Sequence, residues 1–336
     1  MASFSATSLP IINAHRGAVY HGVENTMYAF EKGIEQGATS LELDVVRLST
    51  GELVIFHGSG SHQQPGDVSD LCGSIQLEES NDSCSSSSSS SSESSFSTSA
   101  STLEADPETE SETVPSREYS QIFPNVYYIE EMSLAQTQLL QFTSFSPGFA
   151  PILGSNSASP DFEEQIKKAK IPLLSEVLEL CKRTGTHIAL EMKGSGVEHD
   201  CLRMVEMSGM EHLVTFSSFH NERTALIRKM RSDMTRITTG KIFGEVLSED
   251  WIEQTVNSGC NEAHICFADS TPENIAKAHA AGLFVMAWFP HPVNRSIWSN
   301  HTEDAACYEK VARSGVDMMC VNKPDLLKQV IDKISL

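Results

Sequence analysis

The chain has 336 residues, 40% of them hydrophobic, which suits one barrel-sized domain spanning 1–336 with an insert inside it. Its formal net charge of −21 argues against nucleic acid or an anionic membrane surface as a partner. No stretch reaches the length of a membrane span, no basic and then apolar leader opens the sequence, and none of the eight cysteines has the two-residue spacing of a zinc knuckle, so reduced thiols in a cytoplasmic protein are expected.

In chain order, the first strand is read at 9–15 (LPIINAH), and it stops in His15-Arg16-Gly17. A buried strand ending there hands an imidazole and a guanidinium to its carboxyl end, where α/β sheets keep their ligands. Asn25 then precedes a segment with Met27, Phe30 and Ile34 on one face, a first helix with Gly37 as its stop. Strands follow at 40–48 (SLELDVVRL) and 52–57 (ELVIFH), separated by Ser49-Thr50-Gly51. A parallel crossover needs a dozen residues or more, so these two form a hairpin and run antiparallel. Pairing residues equidistant from Thr50 brings His57 back beside Leu43 and Asp44.

Residues 58–170 read as an insertion. Within it, 81–116 is almost all Ser, Thr, Glu and Asp, too polar to offset the entropy of ordering, and is expected to be a disordered surface loop. Its serines ahead of acids are candidate sites for a kinase. Six further strands are read at 186–193, 212–218, 235–241, 262–268, 283–289 and 316–322, with helical sequence between them. Setting the hairpin strand aside leaves eight parallel strands, which predicts a TIM (β/α)8 barrel with a β-hairpin after the second strand and a long, partly disordered insertion.

Side chains two apart on a strand share a face, so Glu42 and Asp44 point one way, and Glu191 and Lys193 do so on the next barrel strand. Three carboxylates at one rim repel unless a cation lies among them, and an all-oxygen set suits a hard divalent ion, Mg²⁺ or Ca²⁺. His15 and His57 reach the same rim, and Arg16 adds a planar fork for an anionic oxygen. Two imidazoles beside a metal and an arginine describe general acid-base cleavage of a phosphate ester. His21, His62, His199, His220, His264 and His291 are read as lying in or near loops, without a role.

These residues resemble the glycerophosphodiester phosphodiesterases, marked by a His-Arg-Gly strand end, Glu-Asn-Thr, a Glu-x-Asp strand and a second His. Here they are His15-Arg16-Gly17, Glu24-Asn25-Thr26, Glu42-Leu43-Asp44 and His57, continued by 171–180 (IPLLSEVLEL), Glu191-Met192-Lys193, Ser218-Phe219, Trp288 and 315–327 (GVDMMCVNKPDLL). The resemblance implies one divalent cation on Glu42, Asp44 and Glu191, and catalysis by His15 and His57. It further implies phosphate binding by Arg16 and Lys193, and a pocket lined by Trp288. The expected substrate is a small glycerophosphodiester, such as glycerophosphocholine or glycerophosphoethanolamine, split to glycerol 3-phosphate and an alcohol. The sequence departs from the family pattern where Gly58 replaces an Asp after the second His, where an Arg-Thr-Thr stretch is missing beyond it, and where Val321-Asn322 replaces Thr-Asp.

Two other readings use the same fold. Residues 124–153, rich in aromatics and Leu, would supply an apolar groove for lysophospholipids in a lysophospholipase D-type enzyme, or else pack as a small helix over the barrel. A non-catalytic scaffold recognised through 81–116 is the other; the intact set of proposed ligands and both histidines speak against it.

Overall fold

A computed structural model describes residues 9–57, 128–140, 142, 160–194, 196–231, 237–244, 246–290 and 303–336. Nine strands are present among them: β1 (Ile11–His15), β2 (Ser40–Arg47), β3 (Leu53–Ile55), β4 (His187–Met192), β5 (Val214–Ser218), β6 (Thr238–Ile242), β7 (Glu262–Cys266), β8 (Phe284–Trp288) and β9 (Met318–Val321). All but β3 run parallel, in the order β1-β9-β8-β7-β6-β5-β4-β2, and β1 pairs with β2 to close the barrel. The hairpin strand β3 is antiparallel to β2 with Val45 opposite Ile55, the register that returns His57 to Leu43, and Phe56 N donates to Asp44 O at 2.9 Å. The serine and acid stretch 81–116 lies outside the described residues.

Helices α1 (Met27–Glu35), α2 (Leu174–Thr184), α3 (Glu198–Ser208), α4 (Asn221–Met230), α5 (Trp251–Asn257), α6 (Pro272–Ala280), α7 (Ala305–Ala312) and α8 (Pro324–Ile334) alternate with the barrel strands. The outer faces of the strands bury aliphatic side chains under them: Leu41, Leu43 and Val45 meet a core that includes Leu174, Val177 and Cys181 of α2. Each such fully buried aliphatic side chain stabilises the fold by about 1.5–3 kcal/mol relative to exposure. The start of α1 corrects the expectation. Thr26, not Asn25, is its N-cap, its hydroxyl accepting from Ala29 N at 3.3 Å, because the Asn25 side chain is committed to Asp44.

The barrel interior has two chemistries. On one side a directional chain of hydrogen bonds runs from Asn13 Nδ2 to Ser40 Oγ (2.7 Å), Ser40 to His187 Nδ1 (2.9 Å), His187 Nε2 to Thr215 Oγ1 (3.1 Å) and Thr215 to Glu262 Oε1 (3.1 Å). His264 Nε2 donates to the other Glu262 oxygen at 2.9 Å. His264, grouped in the sequence with histidines in or near loops, instead sits inside the barrel on β7 with no exposure, as its strand 262–268 allows. Room for its ring comes from Gly240, where a Cβ would lie 2.5 Å from Nε2. On the other side Met286, Met318 and Cys320 of β8 and β9 form an apolar, sulfur-rich wall.

Of the segment 124–153, the residues Tyr128–Leu140 and Phe142 are described. They include a helix, Leu134–Leu139, opened by a Ser133–Gln136 capping box. Ile129, Met132, Leu140 and Phe142 cluster with Val46, Leu48, Val54, Phe56 and Ile171, so these apolar side chains pack over the hairpin instead of facing an open groove. The described cysteines, Cys181, Cys201, Cys260, Cys266, Cys307 and Cys320, are not in disulfides. No helix among the described residues is long and apolar enough to cross a membrane.

Candidate active site

The carboxyl end of β1 stops abruptly because two successive residues leave the extended region: Arg16 has φ +54° and Gly17 φ +86°. Gly17 is required there, since a Cβ would lie 2.6 Å from the backbone of Ala29. The turn lets Arg16 N donate to both the Glu42 carbonyl (3.1 Å) and its side-chain Oε2 (3.2 Å), which ties the end of β1 to the acid on β2. Asn25, with φ +56°, is the other non-glycine residue in the left-handed region among those described. Its Nδ2 donates to Asp44 Oδ2 at 2.8 Å.

One oxygen from each of Glu42, Asp44 and Glu191 lies within 4.8 Å of the others, all three residues buried. Two cations press on this group. Arg16 Nε stands 3.3 Å from Asp44 Oδ2 while its NH1 donates to Glu24 at 3.0 Å, and Lys193 Nζ is 2.9 Å from Glu191 and 3.5 Å from Asp44 Oδ1. Burial raises the pKa of Glu42, and Asp44 and Glu191 add to the rise. Burial likewise raises Glu191 despite Lys193. For Asp44 the effect of burial is overcome by Arg16, Lys193, His57 and the Asn25 hydrogen bond, and its carboxyl stays ionised far below the usual range. Burial alone would lower Arg16, yet Glu24, Asp44, Glu42 and Glu191 raise it overall.

Both predicted imidazoles reach this cluster. His15 Nε2 is 3.9 Å from Glu42 Oε2, and His57 is close enough to contribute to the ionisation of Asp44. The other His15 nitrogen, Nδ1, meets Asn322 Oδ1 at 3.0 Å. Asn322, one of the departures noted in the sequence, is thus in contact with the site; Gly58, the other single-residue departure, lies outside the described residues. Trp288 is half-buried at the end of β8, and its indole N–H donates to Phe243 O at 3.1 Å.

Three residues acquire a place here that the sequence did not assign them. Glu24 and Asn25 belong to a recognised motif but show their partners, Arg16 and Asp44, only in three dimensions. Arg223 on α4 donates to the Met192 carbonyl (2.7 Å) and to that of Lys193, and stands 3.8 Å from Glu198, fastening the end of β4 that carries Glu191 and Lys193. Nothing in local sequence marks an arginine on a helix for that contact.

A divalent cation fits the donor set. The ligand atoms are hard carboxylate oxygens, and buried Asp44 Oδ1 accepts no hydrogen bond among the described residues.

The model of the glycerophosphoryl diester phosphodiesterase family matches residues 15–326. A glycerophosphodiester phosphodiesterase of Bacillus altitudinis is 25% identical over 276 residues, 80% of this chain and 81% of its own. Another, of Caldanaerobacter subterraneus subsp. tengcongensis, is 21% identical across 96% of this chain and 98% of its own. A solved phosphodiesterase of Oleispira antarctica, in complex with the product sn-glycerol-3-phosphate, shares the fold with a TM-score of 0.60 at 19% identity, covering 96% of this chain and 97% of that one.

Proposed function

The chain belongs to the glycerophosphoryl diester phosphodiesterase family, and from that premise we propose that it hydrolyses small glycerophosphodiesters, such as glycerophosphocholine and glycerophosphoethanolamine, to glycerol 3-phosphate and an alcohol, using one Mg²⁺ or Ca²⁺ on Glu42, Asp44 and Glu191. The observation that carries this reading is a charge imbalance. Four buried carboxylates, Glu24, Glu42, Asp44 and Glu191, face two cations, Arg16 and Lys193, within one hydrogen-bonded cluster. With Glu42 and Glu191 ionised the excess is two negative charges, which one divalent cation neutralises; without a cation, burial and the neighbouring carboxylates raise both carboxyls.

A cation held there supplies Lewis acidity toward a phosphoryl oxygen. Arg16 and Lys193 hold the remaining anionic oxygens and oppose the charge that builds on them. His15 and His57 divide the proton work: one removes a proton from the attacking hydroxyl or water, and the other gives one to the departing alkoxide. Trp288 lines the pocket beside them. The apolar side chains of 128–142 pack over the hairpin, and that favours a soluble diester over a lysophospholipid. The absence of disulfides among the described cysteines supports a cytoplasmic setting.

The test is release of glycerol 3-phosphate from glycerophosphocholine by the purified chain with Mg²⁺ or Ca²⁺. Release is expected to stop on chelation, to return on adding the ion, and to vanish in His15→Ala and Glu42→Ala with the circular dichroism spectrum kept. Turnover that survives chelation or either substitution would overturn the proposal.

A further inference from the structure

Behind His15, on the side away from the carboxylates, lies a second acid that the reaction as described leaves unused. Asn322, at the end of β9 and fully buried, offers its side-chain oxygen to His15 Nδ1 at 3.0 Å. Its side-chain nitrogen donates twice, to Pro290 O at 3.0 Å and to Glu303 Oε2 at 2.9 Å. Its backbone N–H donates to Glu303 Oε1 at 2.8 Å. Glu303 therefore grips Asn322 through both of its own oxygens, and is itself held by the Tyr308 hydroxyl on Oε1 and by Lys323 Nζ on its backbone carbonyl at 2.9 Å.

This arrangement removes a choice. An amide side chain can turn by half a revolution and exchange oxygen for nitrogen. Here that turn would set the Asn322 oxygen against two acceptors, Pro290 O and the Glu303 carboxylate. With the amide nitrogen committed to them, the oxygen must face the imidazole, and an oxygen accepts only from an N–H. We propose that Glu303 and Asn322 are positioning residues that hold neutral His15 as the tautomer protonated on Nδ1, leaving Nε2, the nitrogen 3.9 Å from Glu42, as the one that exchanges a proton with the reacting group.

The same geometry accounts for asparagine where the family pattern has aspartate. A carboxylate at 322 would bring its oxygens against those of Glu303, with no N–H between the two acids. The amide passes the orienting effect of Glu303 to His15 without a second negative charge. The inference rests on His15 acting in the reaction, but its first readout does not depend on turnover.

In the full-length chain labelled with ¹⁵N-histidine, at about pH 8.5 where an ordinary imidazole is neutral, two-bond ¹H–¹⁵N correlation spectra report the protonated ring nitrogen. The His15 signals are identified by their loss in His15→Gln. The proposal requires an Nδ1–H ring; an Nε2–H ring in the unaltered protein would overturn it with no variant involved. In Glu303→Gln an amide nitrogen replaces one acceptor, so Asn322 loses its single preferred orientation and the His15 ring is expected to become a mixture of tautomers. kcat should then fall roughly 10- to 100-fold, with KM within about twofold, because the lost orientation matters to proton transfer and not to substrate binding. An Nδ1–H ring and kcat both unchanged in Glu303→Gln would refute the assignment. Turnover that persists in His15→Ala would instead count against the catalytic role of His15, a different outcome from a failure of the Glu303 contact.

Discussion

Asn25 offers a way to separate a hydrogen bond from backbone strain at the same position. Its Nδ2 donates to the buried, ionised Asp44 at 2.8 Å, and its backbone stands at φ +56°. A hydrogen bond to a charged group contributes roughly 1.5–3 kcal/mol. Asn25→Gly removes that bond and keeps a residue at ease in the left-handed region. Asn25→Ala removes the same bond and adds a Cβ penalty of about 1–2 kcal/mol, of which about 0.4–1 is returned by the smaller backbone entropy of alanine in the unfolded chain. The expectation is a loss of about 2 kcal/mol for the glycine variant, and roughly 1 kcal/mol more for alanine. Urea unfolding in chelator, at constant pH and with m-values compared, gives both numbers. An alanine variant as stable as the glycine variant, or a glycine variant equal to wild type, would refute the reasoning. Because Asp44 loses the donor that orients it, both variants should also bind Mg²⁺ or Ca²⁺ more weakly by calorimetry.

Two further expectations concern the barrel interior. Burial lowers the His187 pKa below the usual 6.5, so below that pH the unfolded chain binds the proton the folded one resists. Stability should therefore be level above that value and fall as pH drops through it. His187→Asn should flatten this slope in urea midpoints collected across the range, and an unchanged slope would show that the acid sensitivity arises elsewhere. Gly240→Ala would place a Cβ 2.5 Å from the His264 ring that donates to Glu262. The backbone there needs no special conformation, so the cost is overpacking, about 1–3 kcal/mol. Thermal unfolding checks it, and a neutral result would mean the ring can move aside.

The strands, the hairpin register and the acid triad were legible because they follow from period and chain connectivity. Glu42 and Asp44 must share a face, and three residues between Leu48 and Glu52 cannot make a crossover. What stayed hidden depends on position after folding. Asn25 looked like a helix cap because asparagine caps helices well, but a buried carboxylate competed for its amide, and Thr26 took the cap. His264 falls within the strand read at 262–268, but its place inside the barrel makes sense only once Gly240 on the neighbouring strand is seen to leave space for it. Glu303 carries no periodic signal and belongs to no motif. Its partners, at 308, 322 and 323, converge on it only in the folded barrel.

The filled interior of the barrel governs traffic. Asn13, Ser40, Thr215 and His264 leave no exposed surface beneath the acidic cluster, so no passage leads from the reaction chamber to the opposite end. In the proposed reaction, substrate and product therefore pass on the same side of the barrel. In that reaction the departing phosphate monoester and the incoming diester share that one opening, so inhibition by glycerol 3-phosphate that more substrate relieves is the expected outcome.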